Sequence, residues 1–140
     1  MRTRLPAALV LLAALALLAA GCGGGSSAPK PYTAKGTAPC LKQKGFTDVT
    51  TASSKVGFIA AFADHGGLHA VTADGNQVTI AFTAGSTAVA GTEKAFKRQA
   101  PPALKARMRD IMEAHGNAVM VWTTSPADQT RSLAVGCLHP

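Results

Sequence analysis

The sequence predicts an α+β fold: a small two-layer sandwich, with a three- to four-stranded, mostly antiparallel sheet covered by helices. Three observations predict it. Residues 68–83 read as two strands about Asp74-Gly75-Asn76, where the Asp-Gly step supplies the positive φ of a tight hairpin. Residues 117–124 (NAVMVWTT) are apolar on both alternating faces, as a central strand is. Residues 86–99 and 103–115 read as helices separated by Pro101-Pro102, a helix breaker.

The chain opens with a basic Met1-Arg2-Thr3-Arg4. Residues 5–20 are an almost unbroken Leu/Ala/Val run, and Ala19-Ala20-Gly21 leads into Cys22. A positive start, an apolar middle and small residues before a cut are the layout of a secretory signal. The run is short for the ~20 residues of a membrane-spanning helix. Ala19-Ala20-Gly21-Cys22 resembles the lipobox of bacterial lipoproteins, with Ala19 where Leu is commonest. The resemblance implies cleavage after Gly21, a diacylglyceryl group on the Cys22 thiol, and palmitate-type chains held in a membrane.

Residues 1–21 are therefore expected to be a signal peptide. Residues 22–39 are expected to be the lipidated Cys22 and a flexible Gly/Ser/Pro tether, and residues 40–140 a single α+β domain. Gly-Gly-Gly-Ser-Ser at 23–27 has linker composition, stiffened by Pro29, Pro31 and Pro39. Residues 40–44 make one helical turn stopped by Gly45, and residues 46–51 (FTDVTT) a short β-branched strand. Residues 55–65 are predicted helical, capped by Ser53 or Ser54, with a strand as the other reading because the stretch also holds Phe58 and Phe62. There Val56, Ile59, Ala60 and Ala63 recur at helical spacing, and His65-Gly66-Gly67 is the stop.

In the strand at 77–83, Val78, Ile80 and Phe82 alternate with Gln77, Thr79, Ala81 and Thr83. The helix at 86–99 tolerates Gly91. That at 103–115 places Leu104, Met108, Ile111 and Met112 on one face, with Pro102 in its first turn. A last helix spans 127–135, with Ser125 as cap and Pro126 at its first position. The order is α-β-α-β-β-α-α-β-α. The ending at 119–138, an apolar strand, a Pro, a short helix and Cys-Leu, resembles small lipoproteins of high-GC Gram-positive bacteria. That likeness brings no activity and no site residue with it.

Without the leader, 119 residues remain, one domain plus a tail. Aromatics are only 5%, so the core leans on Ala, Val, Leu and Ile. The formal charge is +7, two of it from Arg2 and Arg4. A mildly basic mature chain outside a cell suits anionic headgroups or wall polymers. No dense Lys/Arg tract is interleaved with aromatics, so nucleic acid is not an expected partner. Of the three cysteines, a lipidated Cys22 leaves Cys40 and Cys137. A pair in an oxidising compartment reads as a disulfide, here tying the start of the domain to its end. No Cys-x-x-Cys redox motif is present.

Candidate chemistry is sparse. His65 and His69 are spaced i, i+4, with Asp64 beside them, but Gly66-Gly67 interrupts the helix that a shared metal would need. No metal or other cofactor is expected. His65 and His115 each precede a glycine at a predicted helix end, where an imidazole suits the helix dipole. Ser86, Asp64 and His65 or His69 make a hydrolytic triad only on paper, since no Gly-x-Ser-x-Gly is present; Ser86 is expected to cap a helix. Lys94, Lys97, Arg98, Lys105, Arg107 and Arg109 crowd two helices, diluted by Glu93, Asp110 and Glu113. They read as a solvated face, with an anionic membrane as the other reading. Met120 and Trp122 read as core, with a partner groove as the other reading.

The functional expectation is a lipid-anchored protein on the extracytoplasmic face of the cell membrane. It would be a non-enzymatic binding or accessory module for an envelope protein or wall polymer. The alternative is a small extracytoplasmic hydrolase or wall-modifying enzyme.

Overall fold

The structure, a computed structural model, describes residues 28–140. The signal, Cys22 and the first part of the tether lie outside them. The described chain runs α1 (Ala34–Gln43), β1 (Thr47–Thr50), α2 (Phe58–Ala61), β2 (Gly67–Val71), β3 (Gln77–Phe82), α3 (Ser86–Gln99), α4 (Pro102–Lys105), α5 (Met108–Ile111), β4 (Met112–His115), β5 (Ala118–Trp122) and α6 (Asp128–Gly136). The five strands form one sheet in the order β1-β2-β3-β5-β4, every neighbouring pair antiparallel. The α+β class holds. The sheet has five strands rather than three or four, and helices cover both of its faces, which makes three layers.

Register assigns the faces. Ile80 pairs with Leu68 and Met120, and Val78 with Ala70 and Trp122. These residues, all at most 1% exposed, form one face. They pack with Leu41 of α1 and Ala134 of α6. The opposite face carries Ala81, which clusters with Val56 and Ala60 under α2 and with Phe96 of α3. α2 approaches closely because Gly67 has no side chain: a Cβ there would lie 2.5 Å from the Ala60 carbonyl oxygen.

α1 begins at Ala34, six residues before the expected turn at Cys40. Thr33 caps it by accepting from Gly36 N–H, and Pro39 lies within it. The stretch expected to be tether through Pro39 is therefore ordered structure from Thr33 onward. The tail fixes this helix in place: Thr33 N–H donates to His139 O and His139 N–H to Thr37 Oγ1. Cys40 and Cys137 form a disulfide with a Cα–Cα distance of 5.3 Å.

The expected helix at 55–65 shrinks to Phe58–Ala61, because Gly57 takes φ 78 and helical geometry starts only after it. The expected helix at 103–115 is replaced by two short helices and β4. β5 is apolar on both sides and gains a second neighbour from this segment. The two-residue turn Gly116-Asn117 joins the pair, with Met112 opposite Val121 and His115 opposite Ala118. Tertiary pairing here overrides the helical pattern of Leu104, Met108, Ile111 and Met112.

His115 accordingly lies in a strand rather than at a helix end. Gly85 is the N-cap of α3 and Ser86 its first residue. α6 starts at Asp128 after Ala127, without a cap from Ser125, and Pro126 precedes it.

Candidate functional site

The surface feature that the fold builds is an apolar groove over the second sheet face. Val56 and Ala60 enter the core at 2% and 0% exposure, so the opposite side of α2 turns outward. That side carries Phe58 and Phe62, 69% and 77% exposed, with ring centroids 4.9 Å apart. α3 fully buries none of its residues. Between α2 and the α3–α4 connection a groove of about 230 Å³ stays open, floored by Thr79 and Val121 and walled by Phe58, Ile59, Phe96 and Leu104. None of its lining residues is charged.

Met108 belongs both to this groove and to a neighbouring polar recess of about 690 Å³. Lys97, Lys105 and Arg109 line that recess, together with Glu93 and Asp110. Apolar groove and cationic flank are thus adjacent.

A second constellation centres on Glu113 of β4. Its Oε1 accepts from Trp122 Nε1 at 3.0 Å and lies 3.4 Å from Arg131 Nε of α6. Its Oε2 shares a hydrogen bond of 3.1 Å with His115 Nε2. One carboxylate therefore joins the edge strand, the buried indole and α6. That arrangement fixes structure: the carboxylate already has three partners, and Trp122 needs an acceptor for its buried N–H.

The residues singled out in the sequence are distributed as follows. Cys40 and Cys137 meet as a disulfide. Asp64 accepts from Ala84 N–H, and the His65 backbone bonds to Phe82. Asp64 thus braces the turn into α3, and no hydrogen bond joins it to the side chains of His65 or Ser86. His69 lies in β2 and lines a recess with Asp48, Thr50 and Lys55. No group of three or more His, Cys, Asp or Glu placed to hold a metal occurs among the described residues. Met120 and Trp122 are core, at 0% and 1% exposure. Cys22 lies outside the described residues.

Sequence reasoning missed the groove and the Glu113 cluster. A signal for the groove exists: Phe58 and Phe62 stand i, i+4 on the side opposite Val56, Ile59, Ala60 and Ala63. No such signal exists for Glu113, whose partners depend on β4. Compared with protein-family models, curated proteins and solved structures, the chain matches none.

Proposed function

We propose that this is a lipid-anchored protein of the cell envelope, held at the extracytoplasmic membrane face by lipid on Cys22, and that it acts as a binding or accessory module. The observation that carries the reading is the cysteine arrangement. Cys40 and Cys137 are joined, a state that belongs to oxidising compartments. Cys22 is then the remaining thiol, and it follows a basic start, an apolar run and Ala19-Ala20-Gly21. Lipid chains at that position would hold the protein because each buried CH₂ contributes about 0.8 kcal/mol and two chains anchor stably. No helix among the described residues is long and apolar enough to cross a membrane.

The open apolar groove supports a binding role for the domain. Among the described residues, the Glu113–His115 pair is a feature that favours a hydrolase instead. Its carboxylate is already engaged by Trp122 and Arg131, which weighs against a free acid or base. Metabolic labelling with a palmitate analogue tests the anchor. Wild type is expected to take up label and Cys22→Ala to lose it; equal labelling of both overturns the reading.

A further inference from the structure

We infer that the Phe58–Phe62 pair and the groove beside it form a face that lies on an anionic lipid bilayer, so that the domain rests on the membrane to which it is anchored. The inference deepens the proposed function and rests on its anchor. Two large apolar rings held side by side in water are costly unless something covers them. They adjoin a groove without charged lining. The recess beside that groove is lined by Lys97, Lys105 and Arg109 together with Glu93 and Asp110, and residues 93–110 hold six of the chain's fourteen basic residues, all exposed. Aromatic and aliphatic side chains with Lys and Arg beside them are the composition that binds at the interface of a bilayer with anionic headgroups. The apolar part enters the acyl boundary and the cations stay with the phosphates.

Chain reach permits this placement. Ala28 to Tyr32 lie against Ala84, Gly85 and Ser86, where α3 starts. From there α3 runs 14 residues to Gln99 at the groove, about 21 Å at 1.5 Å per residue. Six residue steps lead from Cys22 to Ala28 and span at most about 20–22 Å when extended. The extended tether thus about matches the length of α3, and a lipid at Cys22 can share a bilayer with the groove face.

The test places a reporter on the face. Full-length protein carrying Phe58→Trp, purified from cells with its native Cys22, is mixed with vesicles containing tail-brominated lipid. One set holds 30% phosphatidylglycerol, the other phosphatidylcholine alone. Flotation is scored separately from fluorescence. Wild-type Trp122, in the core at 1% exposure, serves as the unquenched control. The expected result is flotation on both vesicle types, with quenching of the new indole at least about threefold stronger on the anionic set and weakened by high salt. Flotation without quenching on the anionic set overturns the inference and leaves the anchor standing. Flotation and quenching on anionic vesicles alone supports the face and removes the anchor. Neither flotation nor quenching removes both. Protection of the reporter in intact cells only by a crosslinked protein assigns the face to a protein partner and also overturns the inference.

Discussion

Asn117 sits 5% exposed in the β4–β5 turn, and its side chain ties together three segments. Its Nδ2 donates to Tyr32 O and Thr83 O, and its Oδ1 accepts from Tyr32 N–H. Asn117→Ala leaves these groups without that partner in a nearly dry site. The expected cost is about 1–3 kcal/mol, read as a lower urea midpoint with an unchanged slope. At the far end of β3, Thr72 and Asp74 give a pH-dependent counterpart. The Thr72 hydroxyl, and next the Asn76 N–H, hold the Asp74 carboxyl below its ordinary value of 3.8. A carboxylate depressed in this way contributes stability that is complete above the ordinary value and disappears as pH falls through the folded one. Thr72→Val is expected to raise the Asp74 midpoint toward 3.8, read by NMR titration. An unmoved midpoint would exclude the hydroxyl as the cause. Of these contacts, only the turn at Asp74-Gly75-Asn76 is legible in the sequence, because its chemistry is local. The Asn117 contacts span 85 and 34 residues and exist only once the sheet has formed.

The same division between local and distant causes separates the elements that are legible in the sequence from those that are not. α3 occupies the predicted Ser86–Gln99, because Gly85 before it and Pro101 after it are local signals. β5 reads as central from apolar residues on both faces, and it has neighbours on both sides. β4 is not legible. Met112–His115 continues a helical pattern, and only β5 as a partner turns it into a strand. Glu113 is the side chain that profits, meeting Trp122, Arg131 and His115 once extended. Glu113→Ala should therefore destabilise by about 1–3 kcal/mol, since the buried indole N–H loses its acceptor. Glu113→Gln keeps an acceptor and should cost less when the two variants are compared in thermal melts. Equal costs would mean that the ion pair with Arg131, rather than the indole bond, carries the effect. The groove is half legible: Phe58 and Phe62 stand off the apolar stripe of their segment, but the open space beside them depends on how shallowly α3 packs.

For the molecule as a whole, the Cys40–Cys137 bond closes a loop of 97 residues and joins α1 to the end of α6. In the chain-entropy account such a loop contributes up to about 4–5 kcal/mol, a large share of a small domain's stability. Reduction, or Cys40→Ser with Cys137→Ser, is expected to lower the melting temperature by at least about 10 °C; an unchanged melt would leave the bond without a stabilising role. This pairing is legible because three cysteines leave few options, and a lipidated Cys22 would leave only one. The same count throws weight onto Cys22, on which the envelope reading depends. The most direct measurement is the mass of the first peptide of the protein extracted from the membranes of its own cells. The expected chain starts at Cys22 with a diacylglyceryl group on its sulfur. A chain that starts elsewhere, or a Cys22 thiol recovered bare, would contradict that placement.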